Sequence, residues 1–359
     1  MKTTLREIAR QAQVHHGTVS IILNGTRGGT RVSDETRRRV LTVADRLGYE
    51  PNRAAQQLKT SRSNVVGLLV GDLENPFFAR LVSLCTAALE EAGFDSVLAM
   101  RRQGEYSDMH HLKVLTSRQV DGLIVWSETT TEIRAWLEET TPQRNLVVLG
   151  HKVPGCDSVD AALATGVREA LGHLLSQGCR RIGYLAPQSS LESTGDPRPG
   201  VYRDVAAAAG LPELVYSFTG IGHSPEAACA RAEEIAALGP EDRPDALFCF
   251  NDMTAIGALL GLRRGGLRVP QDVAIIGCDG LPLASQMDVP ISSIVYPLEE
   301  MCRKAVELIR TRIEADADPE KAPLAVRHQS FRAPLVVRPS SARVLDTNGS
   351  NFYSTSSLY

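Results

Sequence analysis

Two short stretches near the start of the chain have the residue types and spacing to act on a nucleic acid. Leu5, Ile8, Ala9 and Ala12 recur at i, i+3, i+4 and i+7 and form one apolar stripe. Val19, Ile22 and Leu23 form a second. Only residues 12–14 remain between them, and two short helices packed across so tight a turn make a helix-turn-helix whose second helix enters a DNA major groove. Charge points the same way. Through Arg62, twelve Lys and Arg face five acids, a net of +7, whereas the rest of the 359-residue chain carries −10. A basic unit on an acidic body neutralises phosphates at one end only.

Other residues suit a small ligand. Parallel-sheet lobes build pockets from the loops after strand C-termini. Phe77 and Phe78, Ser127, Asn251 and Asp279 fall in such loops. Aromatic faces against sugar or base rings, with Asp, Asn and Arg fixing hydroxyls or a carboxylate, form a binding constellation without a nucleophile and its base. Core packing is the alternative reading for Phe77 and Phe78, and Asp252 is expected to cap a helix starting near Met253. No Gly-x-Ser-x-Gly, P-loop or His-Glu-x-x-His pattern supports an enzyme.

The elements that position these residues follow from periodicity and punctuation. A third helix is expected from Ser33, its cap, to Leu47, with Val40, Val43, Ala44 and Leu47 on one face and Gly48 as its stop. The Gly- and Arg-rich residues 25–31 read as a loop beside the DNA backbone. Pro51 opens a further short helix. From Val65, apolar strand runs alternate with amphipathic helical runs in two series, the second ending near Gly277, which predicts two α/β lobes with parallel sheets. Residues 340–359 are polar and Ser-rich and are expected to be disordered.

Composition narrows the class further. The seven cysteines are scattered singly, so buried reduced thiols are expected and neither a disulfide framework nor a metal site. No run of about 18 apolar residues is present to span a membrane. With no apolar segment behind Lys2, a cytoplasmic location is expected.

Longer signatures then line up in order. They are Thr4-Leu5, Ile8-Ala9, Ala12, Val14, Thr18-Val19-Ser20 and Leu23-Asn24; Tyr49 with Pro51-Asn52-Arg53-Ala54-Ala55-Gln56-Gln57-Leu58; and Asn75-Pro76-Phe77-Phe78. Phe250-Asn251-Asp252, Ile276-Gly277-Cys278-Asp279, and Pro297 with Glu299-Glu300-Met301 follow. From about Thr4 to Pro339 the chain resembles the lactose and purine repressor family of bacterial transcription regulators. The resemblance implies an α/β protein with an N-terminal helix-turn-helix headpiece and a two-lobed, periplasmic-binding-protein-like core. It places the headpiece at 1–49, a hinge helix and linker at 50–62, and the core at 63–339. Within the core the N lobe takes 63–160 and 293–324, and the C lobe 161–292 and 325–339.

The function so implied is a sequence-specific transcriptional regulator, a repressor, that binds double-stranded operator DNA as a homodimer and needs no cofactor. A small polar effector such as a carbohydrate would control it from the interlobe cleft. The resemblance assigns DNA contacts to Thr4, His15, His16, Gly17, Thr18, Ser20, Ile21 and Asn24, then to Arg31, Asn52, Ala55, Gln57 and Leu58. Leu58 would be an apolar wedge in the minor groove. Arg198 and His223 join Phe77, Phe78, Ser127, Asn251 and Asp279 in the effector set.

Departures from the family pattern are specific. Gln13 and His15 replace a turn Gly and a capping Ser, which predicts weaker capping. His16, Gly17 and Ile21 offer no bidentate Arg-to-guanine contact. Ala162-Leu163 stands where the family commonly carries Asp-Asn. An exported sugar-binding transport protein, an activator and a corepressor-dependent regulator remain open alternatives.

Overall fold

The computed structural model describes residues 3–24, 32–49, 62–101, 108–126, 131–140, 145–191, 195–220, 224–316 and 324–343. They divide into two compact units, one holding the chain up to Asn64 with Gln119–Asp121, the other the remainder. Helices α1 (Leu5–Ala12), α2 (His16–Asn24) and α3 (Asp34–Arg46) build the first. The expected stripes meet: Ile8, Ala9, Ala12, Val19, Ile22, Val40, Val43 and Ala44 are buried together, with Leu5, Leu23 and Leu47 packed against them. Thr4 caps α1 by accepting from the Glu7 N–H, and Ser33 caps α3 by accepting from Thr36. Arg46 donates to Gln11 Oε1 at 2.7 Å, and Gln11 donates to Glu7 at 2.9 Å, tying α3 to α1 outside the core.

So small a core has little redundancy. Ile8 is fully buried at its centre. We expect Ile8→Ala to cost this unit roughly 2–5 kcal/mol and to abolish DNA binding, while thermal unfolding of the second unit stays where it was. Retained DNA affinity at 25 °C would contradict that.

In the second unit β1 (Val65–Val70), β2 (Asp95–Met100), β3 (Gly122–Val125), β4 (Leu146–Leu149) and β5 (Asp157–Ala161) belong to one sheet. A second sheet takes β6 (Ile182–Pro187), β7 (Leu214–Phe218), β8 (Ala246–Cys249), β9 (Ala274–Asp279) and β10 (Ser292–Val295). Strand β11 (His328–Phe331) returns to the edge of the first sheet beside β5, and β12 (Leu335–Val336) pairs antiparallel with β10 in the second. Every other pairing is parallel. The helices that matter below are α4 (Pro76–Glu91), α5 (Leu163–Ser176), α6 (Pro197–Ala208), α7 (Asp252–Arg264) and α8 (Leu298–Asp316).

Three crossings therefore join the lobes, after β5, β10 and β11. Two expected lobe boundaries move as a result. Residues 293–295 stay in the second sheet because Ser292–Val295 pairs with β9, and residues 328–331 stay in the first because His328–Phe331 pairs with β5. Backbone pairing overrides the position at which the helical pattern restarts.

The disordered tail expected from 340 also begins too early. Ser340 and Ser341 are fully buried. The Ser340 carbonyl accepts from the Ile275 N–H, its hydroxyl donates to the Ile275 carbonyl at 2.7 Å, and the Arg343 Nε donates to the Pro270 carbonyl. Polar composition misleads here because these serines satisfy groups at the starts of β9 and β10 that would otherwise be unpaired. Residues 344–359 lie outside the described residues. All seven cysteines are buried free thiols.

Candidate nucleic-acid interface and small-molecule site

The reading helix is organised by what it buries. Val19 and Ile22 face the core, so at 100° per residue His16, Gly17, Ser20, Ile21 and Asn24 share the opposite arc of about 140°. His15 and His16 are exposed. Gln13 takes the left-handed conformation that a turn Gly adopts readily, at φ 52°. The turn is thus kept at the strain of a non-Gly residue. Capping differs from expectation. His15 Nδ1 accepts from the Gly17 N–H at 3.1 Å, so an imidazole supplies the oxygen's role. A side chain on Gly17 would press on that same ring nitrogen, at 3.1 Å from its Cβ, so Gly17 and His15 work as a pair. Thr4 sits at the head of α1 and Thr18 within α2. Arg31, Asn52, Ala55, Gln57 and Leu58 lie outside the described residues.

In the second unit, Phe77 and Phe78 open α4 directly after Asn75, whose side chain accepts from the Phe77 N–H, and both rings are buried. Gly71 makes room for Phe78, whose ring would lie 2.3 Å from any Cβ there. Trp126 follows β3 and Tyr296 follows β10. Phe77 meets Phe78, Trp126 and Tyr296 edge-on at centroid distances of 5.3, 5.2 and 5.1 Å. The cluster spans both lobes, since Tyr296 follows a strand of the second sheet and the others belong to the first. Arg80 of α4 also reaches across, donating to the Gly280 carbonyl at 3.3 Å.

The charged groups beneath this cluster are unequally satisfied. Arg198, near the start of α6, donates through Nε to both oxygens of Asp196, donates through Nη1 to the Phe250 carbonyl, and lies 3.7 Å over the Phe250 ring. Its charge is matched from within, so it fixes the loop after β8. Asp279 closes β9 with φ 124°, a conformation side chains rarely adopt, and its buried Oδ2 has no hydrogen-bond partner. Burial and the neighbouring Asp252 push its carboxyl well above the usual range, against the pull of Arg198. Strained residues and unpaired buried carboxyls of this kind cluster at functional sites.

Asn251, not Asp252, caps α7, accepting from the Thr254 N–H at 2.8 Å. Asp252 instead accepts from the Leu281 N–H and from the Ser293 hydroxyl, at 2.7 and 2.6 Å. The acceptor nearest the first free N–H groups wins the cap, and the preceding residue in extended backbone has that position. Burial pushes the Asp252 carboxyl up to about 7, although the Ser293 and Leu281 hydrogen bonds pull it down.

An open cavity of about 340 Å³ lies between the loop after β4, the end of β5 and the starts of α5 and α6, lined by residues that include His151, Lys152, Asp160, Ala162, Leu163 and Pro197. Among the described residues, none of the sequence-predicted effector residues lines it. Phe77, Phe78, Arg198 and Asp279 are instead brought into one packed neighbourhood next to it, where Trp126 packs on the cavity-lining Gly150: its ring would lie 2.6 Å from a Cβ there. Ser127 and His223 lie outside the described residues. Sequence reasoning missed Trp126, Tyr296, Phe250, Asp196 and Asp160. For Trp126 and Tyr296 the signal was available, since each ends an apolar strand run.

A three-helix basic headpiece ahead of two parallel-sheet lobes, with aromatic rings and an unpaired carboxyl gathered where the lobes meet, defines a DNA-binding regulator with a ligand-binding core. Comparison with known proteins agrees. Residues 4–52 match the profile described as bacterial regulatory proteins, lacI family, and residues 171–341 match the periplasmic binding protein-like domain. The HTH-type transcriptional repressor PurR of Aliivibrio salmonicida is 30% identical over 316 residues, covering 87% of this chain and 92% of that protein. The lac repressor dimer bound to operator and the anti-inducer ONPF superposes with a TM-score of 0.79 at 22% identity, covering 96% of this chain and all of that one. The complex of the transcriptional regulator CelR with cellobiose gives 0.65 at 29% identity, covering 94% of this chain and 100% of that one. The chain belongs to the lacI family of bacterial regulatory proteins.

Proposed function

We propose that this protein is a dimeric cytoplasmic repressor that reads operator DNA with α2 and is switched by an uncharged, hydroxyl-rich effector bound where its lobes meet. The unpaired Asp279 Oδ2 carries the effector half of this reading. The HTH-type transcriptional repressor PurR of Aliivibrio salmonicida, the operator-bound lac repressor dimer and the cellobiose-bound regulator supply the analogies. His15, His16, Gly17, Thr18, Ser20, Ile21 and Asn24 form the DNA face, with Thr4 at the head of α1. Arg31, Asn52, Ala55, Gln57 and Leu58 complete it in this reading, Leu58 as the wedge.

The switch is a difference of affinities. An effector shifts operator binding only by how much better it binds one lobe arrangement, typically about 1–3 kcal/mol per site. Phe77 and Trp126 belong to one lobe, Asp279 and Tyr296 to the other, so a ligand touching both senses the angle between them. No catalytic step enters this scheme.

Phosphate neutralisation by two N-terminal segments, each +7 through Arg62, makes affinity strongly dependent on salt. Operator affinity measured by fluorescence anisotropy should fall by about 10³-fold or more between 50 and 200 mM salt. A flat salt response, or a monomeric mass in light scattering on the operator complex, would count against the proposal.

A further inference from the structure

Helix α2 buries its large apolar side chains on one side with a single exception. Val19 and Ile22 lie in the headpiece core and Leu23 packs against it, whereas Ile21 belongs to neither group among the described residues. Ile21 is only partly buried, and it sits about 160° round the helix from Val19 at roughly 100° per residue. Gly17 is one turn earlier on the same face. A Cβ there would meet only the His15 ring, at 3.1 and 3.6 Å, so the flank of Ile21 is open and the backbone beside it can approach a partner closely. No Lys or Arg occurs between Arg10 and Arg27, so α2 carries no forked donor for guanine.

We propose that Ile21 makes thymine a specified base of each operator half-site, its side chain packing on the C5-methyl in the major groove. The inference rests on the proposed operator reading and deepens it by naming a base. An apolar side chain turned away from its own core gains only where water leaves it, and the thymine methyl is the apolar group that base edges present in this groove. Cytosine offers a hydrogen at the same place. The absent side chain of Gly17 lets the helix come near enough for that contact. His16 and Ser20, on the same arc, can add single hydrogen bonds but no bidentate pair. The arginines outside α2 supply attraction to phosphates, which fixes affinity and position without specifying sequence. What α2 itself contributes to sequence preference is therefore dominated by an apolar contact.

The test selects duplexes with the full-length protein from a pool in which both half-sites are randomised. Each selected thymine is then replaced by uracil, which pairs identically and lacks the methyl. At one position of each half-site, symmetric replacement should weaken binding by the parent about 15-fold, roughly fourfold per half-site for one buried methyl group. This arm uses the parent alone and does not depend on how any variant folds. In Ile21→Ala the uracil penalty should fall below about twofold, and Ile21→Val, which keeps a branched apolar end, should retain most of it. Thermal melting of the headpiece should be unchanged in both, because Ile21 packs on none of its core. No uracil penalty in the parent at any selected thymine overturns the inference. An undiminished penalty in Ile21→Ala overturns it too, since the methyl would then meet another side chain. Failure of the parent to enrich any sequence overturns the operator reading as well; enrichment without a methyl effect leaves that reading standing and removes only the role of Ile21.

Discussion

Asp279→Asn should weaken the response to effector several-fold while leaving effector-free operator binding at the parent level. The carboxyl is buried, its Oδ2 is without a partner, and its backbone is held at φ 124° by the end of β9. Asn is the substitution of choice because its short polar side chain tolerates positive φ better than most residues. With the carboxyl pushed toward its protonated form, the hydrogen bond to a ligand hydroxyl is one between neutral groups, and its loss should weaken effector affinity by roughly 0.5–1.5 kcal/mol, a large part of a typical 1–3 kcal/mol coupling. Stability should hold or rise. The parent maintains two neighbouring buried carboxyls, Asp279 and Asp252, and removing one relieves the other; stability sacrificed at a functional site is commonly regained on its mutation. Operator release by effector at the parent concentration would show that Asp279 is not in the effector site. A lowered melting temperature would show that its role is to hold β9.

The second large effect is on pH. Asp252 is held protonated by burial up to about 7, whereas in the unfolded chain it titrates near the ordinary carboxylate value of about 4. Between those values the folded protein holds the extra proton. The stabilisation linked to it is complete below about pH 4 and is lost as pH rises through about 7. The whole loss amounts to ~4 kcal/mol as an order of magnitude. Asp279 shifts in the same direction and adds to it. Urea denaturation of the second unit should therefore show lower stability at pH 8 than at pH 5, opposite to a protein dominated by paired surface carboxylates. Asp252→Asn should flatten that slope while keeping one of the two acceptors used by Leu281 and Ser293. A slope unchanged in the variant would place the titrating group elsewhere.

The same pair explains why the effector site was only half legible in sequence. Positions after strand C-termini can be read from hydrophobic runs, and that rule located Phe77, Phe78, Asn251 and Asp279 correctly at strand ends or helix starts. It says nothing about what each side chain does on arrival. The family resemblance puts Arg198 in the effector set. In the fold its guanidinium is occupied by Asp196 and the Phe250 carbonyl, because Asp196 caps the same helix two residues earlier and is held within reach. Asp252 looked like a cap and became a tie between α7, the loop after β9 and β10. Asp160 drew no attention, because its orphaned oxygen exists only once β5 and β11 lie side by side.

By itself the sequence determined the headpiece, the alternation of strands and helices, the parallel sheets and the family. Each of these rests on local regularities: stripes spaced by three and four residues, caps such as Thr4 and Ser33, the punctuation at Gly48, and a charge imbalance that needs no folding to exist. Tertiary structure alone decided where the chain crosses between lobes, that Ser340 and Ser341 belong to the fold, and which carboxyls are left without donors. Those outcomes depend on pairings between residues far apart in sequence, such as Ser293 with Asp252 or His328 with Asp160. Periodicity records which way a side chain faces; only packing settles what it meets.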